Sequence, residues 1–222
     1  MTAVVLVGST GMIGEAVARR LTQPDFDPVW LLVRRERGQP HSHHRIRVVD
    51  FDNLAAIEDL DLTGDSVICA LGTTIRKAGS QAAFQQVDRD TVVRTAQWAR
   101  ALGASHFLFV SSLGADAASR NFYLRTKGEA EHALQSLGFE HLTIVRPSLL
   151  LGERSEFRIG ERLGMVVGAL LKPLLSGPLR RYRPVEADQV AAVLVHQAAS
   201  PGGPAVNIWE SERISRFRPD SR

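Results

Sequence analysis

Two serines, a tyrosine and a lysine stand at a spacing that suits proton transfer. Ser111 and Ser112 end an apolar run, and Tyr123 and Lys127 follow four residues apart, so a helix would place both on one face. A free tyrosine has a pKa of about 10, and a neighbouring ammonium favours its phenolate form. We therefore expect Tyr123 to exchange a proton with a substrate oxygen while the hydroxyl of one of the two serines holds that oxygen.

A glycine-rich segment near the N-terminus predicts a dinucleotide-binding turn. Gly8, Gly11 and Gly14 have the spacing G-x-x-G-x-x-G, directly after the first apolar run and at the start of a predicted helix. Glycines permit a tight turn and a close approach of the backbone to a pyrophosphate, which then lies at the helix N-terminus. Because this turn belongs to the first strand–helix unit, it strengthens the interpretation of Tyr123 and Lys127 as a catalytic pair.

The residues after the second predicted strand bear on the choice of cofactor. Arg34 and Arg35 stand where an acidic residue would accept a hydrogen bond from the adenosine ribose of NAD. An arginine at this place favours the 2′-phosphate of NADP instead. Glu36 could still take the ribose role if the turn shifts, so NADP is expected and NAD stays possible.

Two further segments are predicted to border the cofactor. Asp50 and Phe51 follow the third strand, where the carboxylate could accept a hydrogen bond from the adenine amino group or could instead form a turn. Leu71, Gly72 and Thr73 stand at the end of the fourth strand, where small residues let the backbone lie against the second ribose.

The elements that position these residues alternate between strands and helices, which predicts a doubly wound parallel α/β sheet. The predicted strands are short and nearly continuously apolar, as in a sheet covered on both faces: Ala3–Val7, Val29–Val33, Arg45–Val49, Ser66–Leu71, His106–Val110 and Leu142–Val145. The helices predicted between them are Gly14–Leu21, Asp88–Leu102 and Thr126–Leu137.

The chain after about residue 150 has a less regular pattern. It predicts a helix within Phe157–Leu175, an amphipathic helix over Glu186–Ala199 and a short strand over Ala205–Trp209. We expect one domain over residues 1–222, with a core over about 1–150 and a small C-terminal substrate lobe folded onto the sheet.

Composition excludes several classes of protein. The net charge is +3 and no dense basic run is present, so nucleic acid is not an expected partner. A lone cysteine, Cys69, rules out a disulfide framework and is expected to be a core thiol. The apolar stretch Leu163–Leu175 is shorter than the roughly 20 residues of a membrane span, and the N-terminus lacks the features of a signal peptide. We therefore expect a cytoplasmic protein.

Some charged and histidine residues have ordinary structural explanations. Asp88 and Asp90 would open the Asp88–Leu102 helix, where negative charge suits the helix dipole, so capping is their expected role. His41, His43 and His44 are expected in an exposed loop rather than at a metal, and no metal site is predicted.

The glycine turn together with Tyr123 and Lys127 resembles the short-chain dehydrogenase/reductase superfamily, in its atypical or extended branch. Four segments narrow the resemblance to the Tat-interacting-protein-like oxidoreductases and their bacterial homologues: GTTIRKAG (72–79), VDRD (87–90), SSLGAD (111–116) and YLRTKGEAE (123–131). The resemblance covers about residues 3–150 and is weaker afterwards.

This resemblance implies a Rossmann domain that binds NADP through the turn residues Ser9, Thr10, Gly11, Met12 and Ile13, through Arg34, and through the segment after the fourth strand. It also implies catalysis by Tyr123, Lys127 and either Ser111 or Ser112. Pro147 would back the nicotinamide.

The implied activity is hydride transfer between NADPH and a small carbonyl or alcohol substrate, by a chain that could form a homodimer. An NADPH-binding regulatory protein and an epimerase-like enzyme are the alternatives. The short C-terminal lobe argues against a nucleotide-sugar site.

Overall fold

The parallel sheet predicted from the sequence is present, with seven strands. The computed structural model describes residues 2–21, 25–35, 43–151 and 177–218. The sheet strands are β1 (Thr2–Val7), β2 (Phe26–Val33), β3 (His44–Val48), β4 (Ser66–Cys69), β5 (His106–Val110), β6 (His141–Arg146) and β9 (Val206–Glu210). Their order is β3-β2-β1-β4-β5-β6-β9, and every pairing is parallel.

The direction of winding reverses between β1 and β4. The chain runs from β1 outward to β3 and then returns to β4 on the other side of β1. In sheets of this kind the crevice at the carboxyl ends of the two strands, where the order reverses, is the usual ligand site. The glycine turn follows β1 and the 72–74 segment follows β4, so both lie at the carboxyl edge of the sheet where the order reverses.

Helices cover both faces of the sheet because successive strand residues point to opposite sides. They are α1 (Met12–Arg20), α2 (Ile75–Ala78), α3 (Gln81–Gln85), a π-helix (Gln86–Thr91), α4 (Val92–Ala101), α5 (Phe122–Gln135), α6 (Ala187–Ala199) and α7 (Ser211–Arg216). The apolar stripes of α4 and α5 pack on one face, and those of α1 and α6 pack on the other. Alternate residues of β1 divide between these two cores, with Val5 and Val7 on the first and Val4 and Leu6 on the second.

The C-terminal part of the chain contributes to the main sheet as well as to a small addition. The strand predicted over Ala205–Trp209 is β9, which pairs with β6 at the sheet edge, and the predicted helix over Glu186–Ala199 is α6. Strands β7 (Leu150–Leu151) and β8 (Val185–Glu186) form a separate two-stranded sheet. The helix predicted within Phe157–Leu175 lies outside the described residues.

Two helix starts differ from the predictions because their caps precede the apolar pattern. Asn121 caps α5 by accepting a hydrogen bond from the Leu124 amide at 3.2 Å, so α5 begins before the predicted Thr126. Ser80 caps α3 in the same way through the Ala83 amide at 3.1 Å. The helical run that continues into α4 therefore begins well before Asp88, and the prediction that Asp88 opens a helix is wrong.

The structure confirms the prediction for Cys69 but not the whole of the prediction for the histidines. Cys69 is fully buried in β4, where burial raises the pKa of its thiol to about 12, so the prediction of a core thiol is confirmed. The prediction of an exposed histidine loop is wrong for His44, which is buried at the start of β3. The ring nitrogens of His43 and His44 lie 2.8 and 3.1 Å from the Leu21 carbonyl oxygen. His41 lies outside the described residues.

A buried histidine at the amino end of β5 makes stability depend on pH. His106 is 1% exposed, its Nε2 lies 2.9 Å from Thr143 Oγ1, and its ring packs against His141. Burial and then the nearby His141 lower the pKa of His106 to about 4. The folded state therefore keeps the imidazole neutral at pH values where the unfolded chain, with a pKa of about 6.5, takes up a proton.

We expect the free energy of unfolding to fall by up to about 3 kcal/mol through His106 as the pH drops from about 6.5 to 4. Urea unfolding at pH 7 and pH 4.5 measures this loss, which should be smaller in His106→Gln. The matched control is His132→Gln, because His132 is exposed on α5. Equal acid losses in the wild type and in His106→Gln would contradict the prediction.

Candidate dinucleotide and proton-transfer site

The glycine turn has the tight backbone packing that a pyrophosphate-binding turn requires. Gly8 has φ +86°, a conformation that L side chains rarely adopt, and a Cβ there would lie 2.7 Å from the Ala70 carbonyl carbon. A Cβ on Gly14 would lie only 2.0 Å from the Gly8 carbonyl oxygen. At the start of α1, Gly11 supplies no side-chain cap to the helix. The first backbone N–H groups of α1 are thus available to a phosphate, and the residues of the glycine turn fit a dinucleotide.

A crevice of about 390 Å³ opens beside this turn at the carboxyl ends of β1 and β2. Arg34 and Arg35 are exposed at its rim, and neither forms an ion pair with another described residue. Glu36, the alternative ribose ligand, lies outside the described residues. The crevice is lined by Gly8, Ser9, Thr10, Leu32, Val33, Arg34, Arg35, Phe51 and Leu71. Predicted residues from four separate segments therefore meet at one opening.

The two residues predicted to meet the adenine have different environments. Phe51 is buried and lines the crevice. Asp50 is exposed, and its Oδ1 accepts a hydrogen bond from the Asp52 amide at 2.9 Å. The sequence left an adenine contact and a turn as alternatives for Asp50, and its Oδ1 takes part in the turn.

Lys127 is buried at the carboxyl end of β5. Its side chain is 4% exposed, and its Nζ lies 2.8 Å from Asp88 Oδ1. The same Nζ donates a hydrogen bond to the Val110 carbonyl oxygen at 3.2 Å and lies 5.0 Å from the Phe109 ring centroid. A Cβ on Gly72 would lie 4.0 Å from it, so the ammonium directly adjoins the segment after β4.

Asp88 is a residue of the candidate site whose environment differs from the sequence prediction. It is 1% exposed, lies within the π-helix, and accepts a hydrogen bond from the Thr73 amide at 2.9 Å through Oδ2. A signal was present, because Asp88 precedes Val92 and Ala96 at helical spacing and so falls on the apolar stripe. An acidic residue on such a stripe is buried, and a buried carboxylate needs a cation or hydrogen-bond donors as partners. A capping role at the surface does not account for that need.

Tyr123 lies in the first turn of α5, one helical turn before Lys127. Its side chain is half-buried, and its ring centroid is 5.5 Å from that of Phe84 on α3. No other described residue forms a hydrogen bond with its hydroxyl. The phenol is thus held by ring packing, and its hydroxyl is available to a ligand.

The two adjacent serines have different surroundings. Ser111 is 4% exposed, and its hydroxyl donates a short hydrogen bond to Glu131 on α5. Glu131 in turn accepts hydrogen bonds from Arg146 Nε at 3.0 Å and Nη2 at 2.5 Å. This bonding to Glu131 raises the pKa of Arg146 above its usual value, so the guanidinium stays charged. Ser112 is half-buried, and its hydroxyl bonds to no other described side chain.

Sequence interpretation did not identify Glu131, although its spacing carried a signal. Tyr123, Lys127 and Glu131 stand at i, i+4 and i+8, which is one stripe along α5.

The carbonyl of the buried Pro147 accepts a hydrogen bond from the Leu113 amide at 2.9 Å. This bond ties the end of β6 to the segment that carries the serines.

The chain matches a family model described as NAD(P)H-binding over residues 8–201. It is 34% identical to the protein HTATIP2 of Rattus norvegicus over 223 residues, which cover 98% of this chain and 90% of the relative. It is 31% identical over 204 residues to the mitochondrial protein FMP52 of Saccharomyces cerevisiae, with 90% of this chain and 88% of the relative covered.

Similar solved structures agree on the fold at low sequence identity. The human epimerase family protein SDR39U1, solved with NADPH, has a TM-score of 0.62 and 19% identity, covering 94% of this chain and 74% of that chain. The enzyme WbmH of Bordetella bronchiseptica, solved with NAD⁺, has a TM-score of 0.67 and 16% identity, covering 95% of this chain and 76% of that chain.

Among the described residues, no helix has the length and apolar character needed to cross a membrane.

Proposed function

The chain belongs to the NAD(P)H-binding family, and from this premise we propose that it is an NADP-dependent oxidoreductase acting on a small carbonyl or alcohol substrate. The resemblance to short-chain dehydrogenases/reductases is confirmed by the relatives and the fold. The observation that carries the proposal is the position of Tyr123 and Lys127. They share one face of α5, and Lys127 Nζ bonds the end of β5 beside the segment that follows β4.

The residues that would hold the cofactor come from the crevice and from the neighbouring carboxyl ends of β4 and β6. The Gly8–Gly14 turn and the start of α1 would bind the pyrophosphate, Phe51 would pack against the adenine, and Gly72 and Thr73 would lie along the second ribose. Pro147 would lie behind the nicotinamide. A bound nicotinamide would supply or accept the hydride.

Three side chains would handle the substrate oxygen and its proton. Tyr123 would protonate the oxygen during reduction or deprotonate an alcohol in the reverse direction, because its hydroxyl is not engaged by another described residue. Lys127, held at the carboxyl edge of the sheet, would bind the ribose hydroxyls and lie one helical turn from the phenol. Ser112 would donate a hydrogen bond to the substrate oxygen and so orient it.

The assignment of Ser112 rather than Ser111 follows from hydrogen bonding. The Ser111 hydroxyl has a single proton and donates it to the buried carboxylate of Glu131, so it has no donor left for a substrate. Ser112 is half-buried and keeps its donor. This contrast supports Ser112 as the residue that contacts substrate.

Preference for NADP is proposed from Arg34 and Arg35. Both residues line the crevice and neither is paired with a described carboxylate, so a 2′-phosphate would gain a charged partner without breaking an ion pair. The cytoplasmic location and the homodimer remain predictions, and the yeast relative is named as mitochondrial.

Replacing Tyr123 with Phe should reduce NADPH-dependent turnover at least about 100-fold, because the proton donor is lost. The NADPH dissociation constant should stay within about twofold. Turnover is measured on a panel of aldehydes and ketones. The matched control is Tyr182→Phe at the only other tyrosine in the chain. Unchanged turnover in Tyr123→Phe would rule out the mechanism. A wild type that binds NADPH but reduces nothing would favour the regulatory or epimerase-like alternatives.

The two serines should respond differently to replacement by Ala. Ser112→Ala is expected to lower kcat roughly 100-fold with little change in stability, since it removes a donor to the substrate oxygen. Ser111→Ala should lower the free energy of unfolding by about 1–3 kcal/mol, because buried Glu131 loses a hydrogen-bond donor. Steady-state kinetics and urea unfolding measure the two effects. The reverse pattern would assign Ser111 to the substrate.

Arg34→Gln should weaken NADPH binding about tenfold or more while leaving NADH binding within about twofold, because only NADPH carries the 2′-phosphate. Fluorescence titration with each cofactor measures the two dissociation constants. The control is Arg19→Gln, an exposed arginine on α1 that does not line the crevice. A tenfold preference of the wild type for NADH would refute the assignment.

A further inference from the structure

The contacts of Asp88 connect three parts of the candidate site. Its Oδ1 lies 2.8 Å from Lys127 Nζ on α5, and its Oδ2 accepts the Thr73 amide from the segment after β4. A Cβ on Gly72 would lie 3.6 Å from the same Oδ1. The carboxylate therefore joins the lysine to the backbone that borders the proposed cofactor site.

The π-helix provides the geometry for this contact. Gln86–Thr91 widens the helical run between α3 and α4, and such π segments are frequent at functional sites. The neighbouring acid Asp90 instead forms a half-buried ion pair with Arg89 at 2.8 Å. Within one π-helix, then, one carboxylate lies inside the protein beside the site and the other lies at the surface.

The ion pair leaves the back of the site electrically neutral. The side chains of Lys127 and Asp88 are 4% and 1% exposed, so water screens neither charge well. A buried ammonium without Asp88 would be an uncompensated positive charge. Oxidised nicotinamide also carries a positive charge, whereas the reduced ring is neutral. A net charge on Lys127 and Asp88 would therefore change the affinity for the oxidised cofactor more than the affinity for the reduced one.

We propose that Asp88 is a positioning residue that fixes Lys127 and the 72–74 backbone, and that it allows the oxidised cofactor to bind by neutralising the lysine. This inference rests on the proposed function, because it takes Lys127 to lie near the nicotinamide. Asp88 acts through Lys127 and Thr73 and touches no substrate. Its charge sets the ratio of the NADP⁺ and NADPH dissociation constants.

The direct test is Asp88→Asn, which has nearly the same size, removes the charge and keeps one of the two acceptor oxygens. The ratio of the NADP⁺ to the NADPH dissociation constant should rise about tenfold, since an unbalanced charge in a poorly screened site repels only the oxidised ring. Calorimetry measures NADP⁺ binding and fluorescence measures NADPH binding. The matched control is Asp90→Asn on the same π-helix, where the ratio should stay within about twofold.

Removing the lysine charge provides a test of opposite sign. In Lys127→Met the Asp88 carboxylate has no charged partner, and its negative charge attracts the oxidised ring. The ratio of the NADP⁺ to the NADPH dissociation constant should therefore fall about tenfold. In the double variant Asp88→Asn/Lys127→Met, both charges are gone and the ratio should return to within about twofold of the wild type. Any contact of Lys127 with the ribose is shared by both cofactor forms and cancels in the ratio.

The outcomes separate this proposal from the one on which it rests. If the wild type binds neither cofactor, the proposed function fails. If the wild type binds both and Asp88→Asn weakens them equally, Asp88 has only a structural role and the positioning proposal is overturned. If Asp88→Asn does not fold, Lys127→Met decides, and an unchanged ratio there overturns the proposal.

Discussion

The buried ion pair between Lys127 and Asp88 is the interaction on which the geometry of the site depends. A lysine at 4% side-chain exposure requires a partner of opposite charge, and Asp88, which is buried within the π-helix, provides it. The same carboxylate holds the Thr73 amide, and the same ammonium bonds the end of β5. Through two charged groups, α5, the π-helix and the carboxyl ends of β4 and β5 are fixed relative to one another.

A second polar network lies behind the first, one helical turn further along α5. Glu131 accepts hydrogen bonds from Ser111 and Arg146, and Arg146 also reaches Glu210 on β9 at 2.9 Å. This network secures α5 against the ends of β5, β6 and β9 and occupies the Ser111 hydroxyl. The helix that carries Tyr123 is therefore anchored at two places, which limits how far the phenol can move relative to the crevice.

Much of the fold could be predicted because its signals are local in the sequence. Short apolar runs such as that of β5 are buried on both faces, and the glycine spacing after β1 occurs where a turn must approach other backbone closely. Prediction failed where a cap preceded the apolar pattern, as Asn121 does for α5 and Ser80 for α3. It also failed for Asp88, which the pattern places at a surface helix start although its spacing to Val92 and Ala96 puts it on the apolar stripe.

The amino-acid sequence by itself determined the order of strands and helices, the glycine turn, and the Tyr123–Lys127 pair on one helix face. All of these follow from spacing over a few residues. The tertiary structure alone decided that Asp88 pairs with Lys127 and that Glu131 engages Ser111 and Arg146. These contacts join residues far apart in the chain. They arise from how the helices pack on the sheet, which the local periodicity of any one segment does not specify.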